Sequence, residues 1–567
     1  MAAATKAMRE RPEAFVAWLL ADRGRRALEG LALLVVFVAI AWPLARAAWL
    51  PFVDYPEHLG TIAALHGART PAFSQFFVVD YPRTQYLLFY FLGDVLVSVF
   101  GVEGAGRATV ILSVATLPLA VAVWLREHGR PPLLGALAAG IAIHTFVIWG
   151  FLNFAMGMVL ALLALAALAR VVRRPDALSA LWLALLALAT FYAHAQLFAW
   201  FGLAAIVQTA AMAPSAGFAR TRRAVGYGAV AALPAVVGVL VWLRNSGVLE
   251  RGVAGTRNPL AAGVGSAPPS FHPAHDTLRG WLGHSFATWT DGSGEDVALA
   301  FLFAALLLLA LRGLSSGSST SSSARPADAF AKSFRARAPL AAPIASLAPE
   351  AVLGLTFALY LFAPFSYRYI EPINERFLPL TLALLPALGA RGPLTPTVRA
   401  IVAAATVSVA LFASHVHGAG FARTDAEMGD LREALSHTRP GHRLLGLIFD
   451  KQSAEVPLPV YLHAHQYYQA HVGGLAAFGF VEFPISPIQY KPGAEPPPFP
   501  ARFEWTPERY DHAVYGDAFD YWLIRHAPGQ PAPASLFRRR APSGAEPPAV
   551  AYEGVRWTLF ARPGLER

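Results

Sequence analysis

Asp54, Glu57 and His58 fall within the nine residues Pro51-Phe52-Val53-Asp54-Tyr55-Pro56-Glu57-His58-Leu59, directly after the first long apolar stretch of a 567-residue chain. A carboxylate partly shielded from water can be tuned to serve as a general base. Two carboxylates beside an imidazole can also position a reacting group or hold a cation. Proline confines the residue before it to extended geometry, so Asp54 is expected in an irregular turn, with Glu57 and His58 opening a helix. A proline in the first turn and an acid near the N-terminus favour such a helix on their own account. The stretch therefore reads either as a capped helix at a membrane boundary or as a catalytic Asp54 with Glu57 and His58 beside it.

The same segment runs on to Asp80-Tyr81-Pro82-Arg83, and Tyr367 to Arg376 places two Arg and two Glu in ten residues. Planar guanidinium groups match phosphate oxygens. That makes Arg83, Arg368 and Arg376, together with Asp80, Glu371 and Glu375, candidates for binding a phosphate-bearing substrate, although salt bridges at helix ends would use the same residues. His194 and Asn153 sit where one apolar block turns into the next, positions that serve helix packing or face a ligand. His272, His275 and Asp276 lie in a Gly- and Pro-rich segment and match no structural zinc spacing. Trp281 and Trp289 of that segment suit a loop folding over a site. No residue is assigned as a metal ligand, and a divalent cation, Mg or Mn, is the cofactor that the acidic motif would accept. Nearer the C-terminus, His463, His465 and His471 with Tyr467 and Tyr468 make a polar aromatic surface suited to contacting a sugar or finishing a helix.

The elements that must position these residues are membrane helices. The chain is 55% hydrophobic and 14% charged, against about 25% charged in soluble domains. Twelve apolar blocks, most of them long enough to cross a hydrocarbon core, predict a polytopic α-helical bundle of about 11 to 12 transmembrane helices. The net charge of +10 comes mostly from Arg in short loops between blocks. That pattern signals topology and carries no nucleic-acid signature. With no cysteine, disulfides, thiol catalysis and Cys-ligated metals are excluded.

Residues 1–30 are expected to be a cytoplasmic N-terminal segment and 31–415 the membrane domain. External loops are expected at 49–83, 245–296 and 364–376, and a Ser-rich, disordered cytoplasmic loop at 314–348. The blocks 84–100 and 107–125 supply two spans where loop charge calls for one crossing, and Asp94 makes the first of them the weaker candidate. Beyond about 415 no block is long enough to span. Residues 416–567 are expected to form a small α/β soluble domain outside the cytoplasm, with strands near Leu444–Asp450, Phe519–Ile524 and Val555–Ala561 and a helix over Val460–Val472.

The acidic motif after the first membrane helix, the stretch Phe100 to Arg107 and the C-terminal soluble domain together resemble the GT-C class of integral membrane glycosyltransferases. The likeness is to bacterial members related to the protein mannosyltransferase and lipid A aminoarabinose transferase groups. It is carried also by Asp-Tyr-Pro-x-His-Leu at Asp54 to Leu59, Gly-Phe-Leu-Asn-Phe at Gly150 to Phe154 and Glu-Arg-Phe-Leu-Pro at Glu375 to Pro379. The resemblance implies a polyprenyl-phosphate-linked sugar as donor and Asp54 as the base that deprotonates the acceptor. In the nearest groups the two acids are adjacent, whereas here Tyr55-Pro56 separates Asp54 from Glu57.

The expected activity is an inverting sugar transfer at the outer face of a bacterial inner membrane, to an envelope glycan, lipid or protein. Arg368 and Arg376 would stabilise the departing lipid phosphate. A transporter or lipid flippase, or a non-catalytic envelope protein, is the competing expectation. Transporters show internal repeats, and none is visible here.

Overall fold

The computed structural model describes residues 22–246, 268–315, 347–367, 370–483, 486–500 and 502–565. The expected disordered loop 314–348 lies almost wholly outside the described residues, as do most of 1–30, part of loop 245–296 and Arg368.

The chain is mainly helical. Among the described residues, seven helical stretches are long and apolar enough to cross a membrane, and four further apolar helices are shorter. In chain order the elements used below are α1 (Asp22–Arg46), α2 (Tyr55–His66), α3 (Leu87–Val114), α4 (Leu117–Glu127), α5 (Leu152–Arg173), α6 (Ala177–Ala193), α7 (Ala195–Ala216), α8 (Phe218–Asn245), α9 (Ser293–Ser315), α10 (Ala348–Phe362), α11 (Phe377–Leu384) and α12 (Pro396–Met428).

One expected span has a different form. The block 132–149 is a ten-residue 3-10 helix, Pro132–Ile141, followed by the short helix Thr145–Ile148. It starts at Pro131-Pro132, and every residue from Leu133 to Ile141 is buried among α1, α4, α9 and α12. An apolar run enclosed on all sides carries no amphipathic period, so sequence pattern does not tell its helix type.

The two blocks that upset the loop alternation join into one apolar stretch, Leu87–Glu127. Its first part packs along α2: Asp94 pairs with His66 at 2.9 Å, and Gly106 lies so close to Leu59 that a Cβ there would come 2.2 Å from the leucine Cδ2. Glu103 pairs with His471 of the C-terminal region at 2.9 Å, and Arg107 donates to the Ala48 carbonyl at 2.7 Å. The block 84–100 thus lies beside α2 at one end of the bundle, and the remainder of α3 with α4 is long enough for one crossing. At about 1.5 Å per residue, some twenty residues suffice for a core of about 30 Å.

That crossing ends among the basic loops. Arg130 and Arg391 both pair with Glu350, at 2.8 and 2.9 Å, Arg399 pairs with Glu29 at 3.1 Å, and Arg312 donates to the Leu388 carbonyl at 3.2 Å. The positively charged loops are thereby gathered at the end of the bundle opposite α2.

After α12 comes a five-stranded sheet with the order β3-β2-β5-β7-β6, formed by β2 (His442–Ile448), β3 (Gly474–Ala476), β5 (Tyr521–Arg525), β6 (Ala549–Glu553) and β7 (Trp557–Ala561). The β2 strand runs parallel to β3 and β5, while β7 is antiparallel to both β5 and β6. The helix expected over Val460–Val472 is shorter, a 3-10 turn at Ala464–Gln466 and a helix at Tyr467–His471. Its side chains explain the break, because His465 and Gln466 bond to the Ala477 carbonyl, at 2.8 and 2.7 Å, and pin the segment against the end of β3. A second, two-stranded sheet pairs β1 (Phe77–Val79) of the first loop with β4 (Ile488–Tyr490).

Candidate active site

Asp54 occupies the N-cap position of α2, yet its side chain makes no capping hydrogen bond. An N-cap aspartate ordinarily accepts from its own helix's backbone N–H groups, so this carboxylate is left for other contacts. Its backbone is fixed from both sides. Asp425 of α12 accepts from the N–H groups of Ala48 and Trp49 at 2.7 and 2.6 Å, Val53 donates to the Ile148 carbonyl at 2.9 Å, and His58 N donates to the Asp54 carbonyl at 3.1 Å.

The partner of Asp54 comes from about four hundred residues away in sequence. His463 places Nδ1 3.2 Å from Asp54 Oδ1 and 3.7 Å from Glu57 Oε2, while its Nε2 lies 3.8 Å from Glu504 Oε2. Three carboxylates thus surround one imidazole, and Glu57 is 4% exposed. Burial pushes the Glu57 and Glu504 carboxyls above the usual range. Burial works to lower the pKa of His463, but Glu57, Asp54 and Glu504 outweigh it and push the imidazole up to about 10. The cluster holds protons more tightly than its members would in water.

Asp54, Glu57 and His463 present one ligand atom each within 4.8 Å of one another. Two carboxylates and an imidazole form a donor set that suits a divalent cation such as Mn.

His58 has a different place. Its Nε2 donates to the Gly150 carbonyl at 2.9 Å, and its Nδ1 lies 3.0 Å from the Tyr90 hydroxyl. Burial lowers its pKa to about 4. With both nitrogens engaged, the ring ties α2 to the Gly150 turn and to α3.

The other residues singled out in the sequence fall into two groups. Arg376 is buried at the start of α11, with its guanidinium 4.2 Å above the Phe151 ring and one nitrogen donating to the Glu371 carbonyl at 3.1 Å. His194 stacks edge-on with Phe154 and Tyr86, and Gln196 donates to the Ile373 carbonyl at 2.9 Å, so the turns at 150–154, 194–196 and 370–376 meet at the α2 end. In these turns Arg376 Nε, His194 Nδ1, Gln196 Oε1, Asn153 Oδ1 and Asn374 Oδ1 are buried without a hydrogen-bond partner. Buried polar atoms are normally satisfied, so five of them in adjoining turns mark a place where a polar ligand fits.

Asp80 and Arg83 instead face the C-terminal region. Asp80 accepts from Gln489 at 2.5 Å, and Arg83 reaches the Ile488 carbonyl at 3.5 Å, both on β4. Glu375 pairs with His284 at 3.2 Å and lies 3.9 Å from His272, tying loop 364–376 to loop 245–296. The backbone carbonyl of Glu371 serves Arg376. Asp94, paired with His66, sits at the far end of α2 from Asp54, about 18 Å away at helical rise.

Sequence reading left His463 on a polar aromatic surface, without a link to Asp54, and did not single out Glu504. The only signal available was the density of His and Tyr in 463–471.

This arrangement, a polytopic bundle with its acidic cluster closed by a C-terminal sheet domain, is the fold expected of a GT-C-like membrane protein. The chain is similar over nearly its whole length to a solved structure. It matches the crystal structure of ArnT from Cupriavidus metallidurans bound to undecaprenyl phosphate with a TM-score of 0.55 at 12% sequence identity, covering 96% of this chain and 99% of that one. The apo state of the same protein matches with a TM-score of 0.48 at 12% identity, covering 97% and 98%. No family model and no curated protein matches the sequence.

Proposed function

We propose that this multi-pass membrane protein transfers a sugar from a polyprenyl-phosphate donor to an envelope acceptor at the outer face of the bacterial inner membrane, with inversion. The observation that carries the reading is the Asp54 carboxylate, released from capping its own helix and aimed at His463. The orphaned polar atoms around Arg376 and the fold shared with ArnT, a structure of which holds undecaprenyl phosphate, support it.

In this mechanism Asp54 accepts the proton of the acceptor O–H as that oxygen bonds to the anomeric carbon. The bond from the anomeric carbon to the phosphate oxygen breaks on the opposite face, and its electron pair leaves with the lipid phosphate. Arg376 meets the charge that develops there, with His194 and Asn153 completing the polar turn. A preorganised charge at such a point is worth about a hundred- to a thousandfold in rate. His463, as imidazolium, orients Asp54 and offsets the carboxylates of Glu57 and Glu504. A divalent cation would be held by Asp54, Glu57 and the deprotonated imidazole of His463, taking the place of the imidazolium proton, and would supply Lewis acidity toward the acceptor oxygen. The positive-inside rule, applied to the basic loops at the opposite end of the bundle, supports a location of the cluster, the turns and the C-terminal domain outside the cytoplasm.

The reading is tested by comparing envelope glycoconjugates from cells with and without the protein. One sugar-modified species should disappear and return on complementation, and identical profiles would contradict the proposal.

A further inference from the structure

Beyond His463, on the side away from Asp54, lies a cavity of about 380 Å³ within the C-terminal region. That volume is in the range of small-ligand sites. Its walls are the rings of Phe478, Phe499 and Phe503, whose centroids stand 4.7 to 6.1 Å apart, and its polar lining residues are Glu482, Tyr490, Glu495, Arg502 and Glu504. Among the described residues, the only non-glycine residues with left-handed backbone are Phe478, at φ 62°, and Arg502, at φ 58°, and both line this cavity. Such conformations cost on the order of a kcal/mol each and persist where the surroundings over-determine them.

Glu504 belongs to two places at once. It lines the cavity, and its Oε2 lies 3.8 Å from His463 Nε2, the nitrogen opposite the one that faces Asp54. A ligand in the cavity is therefore separated from the Asp54 cluster by a single imidazole. Aromatic rings flanked by carboxylates and a guanidinium suit a molecule with apolar C–H faces and an equatorial rim of hydroxyls. A polyprenyl tail offers these charged groups no hydroxyl to bond, and covering them with it would cost desolvation.

We infer that this cavity is a saccharide subsite that receives a sugar ring of the acceptor beside the Asp54 cluster. The inference rests on the transfer reading above and narrows its acceptor from a glycan, lipid or protein to a molecule that already carries a sugar. Phe499 and Phe503 stack on the ring, Glu482 and Glu504 accept from its hydroxyls, and Arg502 donates to a ring or hydroxyl oxygen. The next hydroxyl along the acceptor is then the one presented toward Asp54.

The test is saturation-transfer difference NMR on the purified full chain in detergent, with methyl glycosides of glucose, galactose and N-acetylglucosamine as probes and glycerol as control. At least one glycoside should show transfer to its ring C–H protons while glycerol shows none. The signal should persist in Asp54→Asn and fall by roughly fivefold in both Phe499→Leu, which keeps apolar bulk, and Glu482→Gln, which keeps shape. A wild-type protein that gives no glycoside signal, or variants that give an undiminished one, would overturn the assignment. The two readings fail separately. If glycoside binding is absent while Asp54→Asn abolishes transfer, the subsite alone is wrong. If binding is present while Asp54→Asn transfers normally, the catalytic reading alone is wrong.

Discussion

Gly150 lies against Asp54 so closely that a Cβ built on it would come 2.6 Å from both the backbone nitrogen and the Cβ of the aspartate. Gly150 also has a φ of 95°, which side-chain-bearing residues rarely adopt, and its carbonyl receives His58. The turn at 150–154 is thus the wall against which the Asp54 loop is set, which gives the Gly-Phe-Leu-Asn-Phe stretch a physical role. Gly150→Ala is expected to destabilise the protein by about 1–3 kcal/mol and to move Asp54 out of place. Thermal unfolding in detergent and transfer rate should both fall, and a variant equal to wild type in both would show that the contact is not needed.

The His463 cluster makes stability depend on pH with a definite sign. Because the folded-state pKa of His463 is raised from 6.5 to about 10, its contribution is fully present below 6.5 and is lost as pH rises toward 10. Burial of Glu57 and Glu504 acts in the same direction. Melting temperature measured from pH 6.5 to 10 should therefore decline, and His463→Gln should flatten that decline. Parallel curves for the two proteins would contradict the assignment.

Three-way ligation has its own pH signature. His463 must give up its proton before Nδ1 can bind a metal, so Mn(II) binding, followed by electron paramagnetic resonance, should tighten between pH 6.5 and 8.5. Asp54→Asn and His463→Gln should each weaken it by about ten- to a hundredfold, the scale on which altering the surroundings of a metal site changes affinity. Binding that ignores both pH and these substitutions would remove the cluster as a cation site.

Arg376 stacks on Phe151, and its Nε is buried without a partner. Lysine keeps the charge and loses the planar fork. Arg376→Lys should raise the KM for the lipid-linked donor or lower kcat by roughly tenfold or more, measured in steady-state transfer assays. Unchanged constants would place the donor phosphate elsewhere.

How much of this was readable from sequence follows from how local each signal is. The Asp54 stretch was legible because its proline, acids and position after an apolar helix lie within nine residues. The gathering of basic loops at one end was legible because charge placement is itself the topological signal. His463 and Glu504 were not legible as partners of Asp54, since their meeting depends on how the segment 463–471 docks onto α2, through contacts such as Gln469 donating to the Gly60 carbonyl at 3.0 Å. The docking use of Asp80 and Arg83 was hidden for a similar reason, because β1 has only three residues and its partner strand lies far along the chain. The block 84–100 reads as a span because its composition is apolar, and its packing along α2, with Asp94 paired to His66, is a tertiary contact that composition does not encode.

The central claim is that Asp54 takes the acceptor's proton. It is tested by transfer from a polyprenyl-phosphate-linked sugar in proteoliposomes containing wild type or Asp54→Asn, each checked for equal melting temperature. The account predicts that Asp54→Asn slows transfer by about a thousandfold, the scale of a lost general base. Transfer at the wild-type rate by a folded Asp54→Asn would contradict it.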